Sequence, residues 1–293
     1  MTKRLQAMWQ LARMALVAQV MVMAAPAVLA QDYGDTPYVQ TPQVVVDRML
    51  EAAKITQQDF VIDLGSGDGI IVLTAAGQNK ASGVGYDIDP ELVKLSNAEA
   101  QKRGIADRAK FAVQDVFKAD LSKASVVTTY LLPGMMMNLR QKIYTELKPG
   151  SRVVSHDYHF SDWRPDDQFS FDVPEKEKVN GVPSATVYLW IIPAKVGGRW
   201  QVRVEGGEAY DVALKQTWQV IEGTATVSGK PVARLSSAVI RGDDIGFVVG
   251  AGATRMSFNG KANGDAMQGN VDLGGGRSAK WTATRTEQQA AAN

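Results

Sequence analysis

The sequence predicts an α/β domain built on a parallel sheet, followed by an all-β domain. Three observations predict it. Strand-like runs alternate with stretches of helical spacing up to about residue 165, and glycines at 65, 67 and 69 break the first run where a helix begins. Beyond about residue 195, helical spacing gives way to short apolar segments bounded by Gly, Asn and Asp.

The elements follow in order. Thr41 before Pro42 reads as an N-cap with proline in the first turn, and Val44, Val45, Val46, Met49, Leu50 and Ala53 recur behind it at helical spacing. Residues 60 to 64 (FVIDL) read as a fully buried strand, and residues 70 to 77 as the helix after the glycine loop. A second strand, 83 to 87, runs into Asp89-Pro90-Glu91, a cap with proline, and a helix to Gly104. Strands are expected at 110–115 and 125–132, a helix at 135–147, a turn at Lys148-Pro149-Gly150, and a fifth strand at 152–158. Residues 169–173 and 185–193 complete the sheet as an antiparallel pair. Further on, Gly242-Asp243-Asp244 and Asn263-Gly264 carry hairpin signals, so 197 to 286 reads as a small antiparallel barrel or sandwich with Trp200, Trp218 and Trp281 in its core. The expected organisation is 1–30 as a signal peptide, 31–194 as the α/β domain, 195–286 as the β-rich domain and 287–293 as a loose tail.

Composition narrows the function classes. Lys and Arg number 32 against 31 Asp and Glu, so no overall field favours nucleic acid or an anionic surface. There is no cysteine, which removes disulfides, thiolate metal sites and a thiol nucleophile together. Imidazole comes only from His156 and His159. Strand alternation places these two on opposite faces unless the chain bends, so no metal site is assigned to them.

In parallel sheets, ligands bind beyond the carboxyl ends of the strands. The glycine loop lies at such an end, and its spacing discriminates among ligands. A dinucleotide fingerprint needs glycine where Ile70 stands, and a phosphate-binding P-loop needs a following lysine that is absent. Asp63 and Asp68 flank the glycines, with no Arg or Lys between residues 55 and 79, so the loop suits a cationic ligand.

Asp63-Leu64-Gly65-Ser66-Gly67-Asp68-Gly69 resembles the first motif of class I S-adenosylmethionine-dependent methyltransferases, whose ligand carries a sulfonium and an ammonium. The resemblance implies a Rossmann-like seven-stranded methyltransferase sheet with S-adenosyl-L-methionine as cofactor. It places Asp63, Gly65, Ser66 and Gly67 against the methionine part. Asp87, 20 residues after Gly67, takes the ribose hydroxyls, Asp115 reads the adenine amino group, and Ile88 and Val116 wall the base pocket. "YVQTP" at 38–42, "GYDIDPELV", "VVTTYLLPGMMMNLR" and "RVVSHDYHFSDWRP" narrow the likeness to the branch that includes the lysine methyltransferase acting on the c-ring protein of the mitochondrial ATP synthase. In that branch the segment before the first helix closes over the cofactor, which adds Tyr38 and Thr41. Each assignment has a plainer reading: glycines at a strand end also make simple turns, Asp89 is a helix cap, and Met135, Met136 and Met137 are core filler.

Methyl transfer in this fold takes place after the fourth strand, which makes Tyr130 and Pro133 catalytic candidates. Tyr130, Leu131, Tyr158 and Trp163 are expected to line an acceptor channel. A lysine amine, with an ordinary pKa of about 10.4, must lose its proton before attack, and an apolar channel favours that. An oxygen acceptor needs a base, for which His156 is the first choice. Protein lysine is the preferred acceptor, with a small-molecule O- or N-methyltransferase and a cofactor-fold binding protein without methyl transfer as alternatives. Lys3 and Arg4 followed by the apolar residues 14–30 and a small-residue cleavage site at Val28-Leu29-Ala30 imply export, as a periplasmic protein without a stable span, with a membrane anchor at 14–30 as the alternative.

Overall fold

A computed structural model describes residues 38–289 apart from 228 and 229. The predicted signal segment and residues 290–293 of the predicted tail lie outside the described residues. Among the described residues no helix is long and apolar enough to cross a membrane.

The first sheet is assembled from β1 (Phe60–Leu64), β2 (Ser82–Asp87), β3 (Ala109–Val113), β4 (Val126–Thr129), β5 (Arg152–His156), β6 (Asp167–Asp172) and β7 (Ser184–Ile191). Their order is β3-β2-β1-β4-β5-β7-β6. The first five are parallel, and β7 runs antiparallel to both β5 and β6. Strand order reverses between β1 and β4, which puts the switch point of the sheet at the end of β1. The helices are α1 (Gln43–Ala52), α2 (Ile70–Gln78), α3 (Pro90–Lys102), α4 (Pro133–Glu146) and α5 (Pro174–Asn180). On one face, Val45, Val46, Met49 and Leu50 of α1 pack on Val61, Val126, Val154 and Val187. On the other, Val72 and Leu73 of α2 meet Val93 and Ala100 of α3 and Phe111 of β3. The apolar sequence of α2 is explained by this placement, since its side chains enter both clusters.

Four expectations change. The N-cap of α1 is Pro42, without a side-chain cap bond, and Thr41 is simply buried before it. The fourth strand ends at Thr129, because Tyr130 to Leu132 turn out of the sheet toward Pro133 at the head of α4. The fifth strand ends at His156, where Asp157 adopts φ +57° and turns the chain. α5 is an addition, since its sequence PEKEKVN offers almost no apolar periodicity.

The second sheet comprises β8 (Gly198–Val204), β9 (Ala209–Thr217), β10 (Val220–Val227), β11 (Lys230–Arg234), β12 (Ser236–Arg241), β13 (Asp244–Val249), β14 (Met256–Asn263), β15 (Ala266–Gly274) and β16 (Arg277–Gln288). The sheet closes on itself through the β9–β10 pair, so β8, β9, β10 and β12 to β16 form an eight-stranded antiparallel barrel, and β11 pairs along β10. Of the barrel and sandwich left open by the sequence, the barrel is the one formed. Both expected hairpins are present, between β12 and β13 and between β14 and β15. Trp200, Phe247, Phe258 and Trp281 fill the interior, as side chains do in barrels of this size. β16 runs through Gln288, and the Gln289 side chain accepts from the Gln216 amide at 2.8 Å, so residues 287 and 288 of the expected tail belong to a strand.

Candidate functional site

The loop after β1 is shaped by left-handed glycines, with φ +76° at Gly65, +52° at Gly67 and +80° at Gly69. The amides of Gly65 and Ser66 both donate to the Tyr86 carbonyl, at 2.9 and 3.0 Å, which ties the loop to the end of β2. A Cβ on Gly65 would stand 2.7 Å from Leu131 Cδ2, and one on Gly67 would stand 2.5 Å from the Tyr38 ring. The main chain is therefore bare by steric necessity, with Leu131 on one side and Tyr38 on the other.

Carboxylates converge on this loop. Asp63 is 1% exposed; its Oδ1 accepts from Thr128 Oγ1 at 2.7 Å, while Oδ2 is buried without a protein partner. Burial raises its pKa to about 7, and the negative charges of Asp87 and Asp68 add to the effect. Asp87 ends β2, and its two oxygens accept from the amides of Gly67 at 2.7 Å and Asp89 at 3.0 Å. Asp89 in turn caps α3 by accepting from Glu91 N at 2.8 Å. Asp115 follows β3, with Oδ1 accepting from Phe117 N at 2.9 Å and Oδ2 facing Lys118 at 3.2 Å. Ile88, 72% exposed, and Val116, buried, lie at the ends of these neighbouring strands, which the Gln114 amide joins by donating to the Asp87 carbonyl at 2.8 Å. Ser66 is buried inside the loop.

Sequence reasoning gives Asp68 only a charge, whereas the structure gives it a fastening role. Its Oδ2 accepts from Gln40 Nε2 at 2.7 Å and its Oδ1 from Ile70 N at 3.1 Å. It also bonds the Tyr38 phenol, whose pKa lies well above the ordinary value through burial first and Asp68 second. The segment before α1 is thus fastened to the glycine loop by the side chains of Tyr38 and Gln40. Asp68 within the glycine motif is the signal from which this could have been found.

The residues that follow β4 and β5 form an aromatic cluster. Tyr130, just beyond β4, lies against His156 with ring centroids 4.0 Å apart and is stacked on Tyr158 at 6.0 Å. Pro133 occupies the first turn of α4. His156 is fully buried at the end of β5, and Nζ of Lys176 on α5 lies 3.3 Å from its Nε2. Burial lowers the imidazole pKa to about 4, with Lys176 acting in the same sense and Asp157 opposing. His159 is exposed, beside Tyr188. The bend at Asp157, rather than strand alternation, is what separates the two imidazoles. Asp166 is turned elsewhere, accepting from Ile191 N at 2.8 Å. Among the described residues no group of three His, Asp or Glu side chains is arranged to hold a metal ion.

Two aromatic assignments are corrected. Trp163 does not line a channel: it is fully buried and stacks on Trp218 at 4.7 Å with the rings 9° from parallel. Trp218 is not in the barrel core; it sits in the β9–β10 turn and meets Trp163 and Tyr144 of the first sheet's layer.

Residues 63–167 match the family described as the ANTKMT methyltransferase domain. A protein-lysine N-methyltransferase of Saccharolobus islandicus is 41% identical over 157 residues, covering 53% of this chain and 93% of that protein. The adenine nucleotide translocase lysine N-methyltransferase of Mus musculus is 32% identical over 44% of this chain and 56% of its own length, so this chain spans little more than half of that relative. The crystal structure of an RNA methyltransferase from Salinibacter ruber in complex with S-adenosyl-L-homocysteine is 45% identical, with a TM-score of 0.49, over 54% of this chain and 96% of that one.

Proposed function

The chain belongs to the ANTKMT-type S-adenosylmethionine-dependent methyltransferases, and from that membership we propose that it methylates the side-chain amine of a protein lysine. The observation that carries the choice of acceptor is the 41% identity to a protein-lysine N-methyltransferase over 93% of that protein.

S-adenosylmethionine is the cofactor, and the residues present fit it. A buried carboxylate oxygen of Asp63 without a protein partner suits a cationic group, and the glycine loop is a cradle that any Cβ would fill. Asp63 and the main chain of Gly65 and Gly67 would hold its amino-acid portion, Asp87 its ribose hydroxyls and Asp115 its adenine amino group. When bound, the cofactor supplies a methyl group already activated by a sulfonium.

The protein's own work is alignment and exclusion of water. Tyr130, Leu131 and Tyr158 form an apolar and aromatic wall next to the glycine loop. Such a wall disfavours an ammonium and lowers the pKa of an entering amine, which leaves its lone pair free. Pro133 fixes the start of α4 and so the course of the chain that carries Tyr130 and Leu131. Export remains part of the proposal, resting on the basic start and apolar residues 14–30.

Incubating the protein with methyl-labelled S-adenosylmethionine and separate periplasmic, membrane and cytosolic extracts tests both parts. The expected outcome is label in a protein band of the periplasmic or membrane fraction, located by mass spectrometry on a lysine. Label confined to small molecules, to RNA or to another side chain defeats the acceptor proposal, and label confined to cytosolic proteins defeats the export proposal.

A further inference from the structure

We infer that Lys176 is a positioning residue that holds His156 neutral, with its proton on Nδ1, beneath Tyr130, so that His156 is not the base of the reaction.

The argument starts from donor and acceptor counts. Lys176 is 3% exposed, and its Nζ is bonded to Asp157 Oδ2, to the Ser184 carbonyl at 2.8 Å and to His156 Nε2 at 3.3 Å. An ammonium has three hydrogens and no lone pair. Three acceptors therefore use all three hydrogens, and Nε2 must be the accepting nitrogen. The imidazole proton is then on Nδ1, since a ring protonated at both nitrogens would oppose N–H to N–H.

Nδ1 is buried with no protein partner, so the polar contacts of the ring are made through Nε2, which also lies 3.4 Å from Asp157 Oδ2. Asp157 faces the ring from the end of β5, Lys176 from α5 and Tyr130 from the end of β4, with Tyr158 stacked beyond Tyr130. Asp157 is held in place by accepting from the Thr186 amide at 3.0 Å through Oδ1, while its Oδ2 carries the Lys176 bond. The ammonium thus offsets the carboxylate charge, which by itself favours an imidazolium. Burial lowers the His156 pKa to about 4, and the Lys176 charge acts in the same direction. An uncharged ring behind Tyr130 adds no positive charge that would repel a sulfonium donor.

This inference rests on the acceptor side being the Tyr130 wall, as in the function proposed above, but its first test needs no acceptor. The chain has only two histidines, so nitrogen-15 NMR of the full-length protein is read directly, with His159→Gln leaving His156 as the single imidazole. The expected result is an unprotonated Nε2 and a protonated Nδ1 with no titration from pH ~5 to ~8. Titration of His156 in that window, or a proton on Nε2, overturns the inference whether or not lysine is the acceptor.

Lys176→Met leaves the Asp157 carboxylate unmatched beside the ring. His156 is then expected to titrate between pH ~5 and ~8, and turnover to fall by roughly tenfold at pH ~6 while recovering at pH ~8. A second substitution, Asp157→Asn with Lys176→Met, removes both charges and is expected to return the pH profile toward the wild-type one, a recovery that a purely structural role for Lys176 does not produce. An unchanged pH profile in Lys176→Met, or no recovery in the double variant, overturns the positioning role.

Discussion

Asp63 and His156 are buried titratable groups whose linkage to stability has opposite sign. The pKa of Asp63 is raised to about 7 by burial, from about 3.9 in an unfolded chain. Between these values the folded state keeps a proton that the unfolded state has lost, so the contribution of Asp63 is full at low pH and is lost as pH rises toward 7. The pKa of His156 is lowered to about 4 by burial, and its contribution is lost as pH falls from about 6.5 toward that value. The two oppose each other over most of this window. Asp63→Asn removes one of them: the stability of the wild type relative to this variant is expected to fall by up to about 1.4 kcal/mol per pH unit between pH ~4.5 and ~7. Urea denaturation at a series of pH values checks this, and a difference independent of pH refutes the raised pKa. Asp63, Asp87 and Asp115 were legible as candidates because their spacing relative to strand ends is local. The orphaned Oδ2 of Asp63 was not legible, because it depends on Thr128 of the neighbouring strand taking the other oxygen.

The element on which the proposed cofactor site rests is the loop between β1 and α2. Gly67 combines φ +52° with a Tyr38 ring atom 2.5 Å from where a Cβ would stand. Gly67→Ala therefore strains the backbone by about 1–2 kcal/mol and pushes Tyr38 away from the loop. The expected outcome is a loss of that order in denaturant stability, with S-adenosylhomocysteine affinity weakened roughly tenfold by calorimetry. Unchanged affinity would mean that the main chain at Gly67 is not in the site. At this scale the sequence was most informative, since glycine spacing and a buried strand are patterns of consecutive residues. It failed at α5, whose seven residues have little apolar spacing. The helix forms where Val173 is buried and Lys176 reaches inward to Asp157, a partner 19 positions away.

At the scale of the whole molecule, the barrel is joined to the first sheet away from the glycine loop. Lys195 Nζ donates to the Thr145 carbonyl at 3.2 Å, the Ala194 amide donates to the Gly242 carbonyl at 2.7 Å, and Arg241 pairs with Asp166 at 3.6 Å. A Cβ on Gly242 would lie 3.3 Å from Gly150 Cα. Thr145 and Gly150 precede β5 and Asp166 precedes β6, so these contacts gather at the starts of strands, whereas the proposed site lies at the carboxyl ends of β1, β2, β4 and β5. Trp218, stacked on Trp163, supplies the aromatic part of the joint. Trp218→Ala is expected to cost about 2–4 kcal/mol of stability, while S-adenosylhomocysteine affinity stays within about twofold. Denaturation and calorimetry on the same preparations check this; a large loss of affinity would show that the barrel supports the cofactor site.

The succession of strands and helices apart from α5, the glycine loop, the carboxylates at the ends of β1 and β2 and beyond β3, and the hairpins of the barrel were determined by the sequence alone. Each is set by backbone sterics and side-chain periodicity over a few neighbouring residues. Closure of the barrel through β9 and β10, the Trp163–Trp218 joint and the Lys176–His156 contact were decided only by the tertiary structure. Their energies come from burying together groups that are distant in the chain, and a buried ammonium or imidazole has no defined partner until the surrounding layers have excluded water.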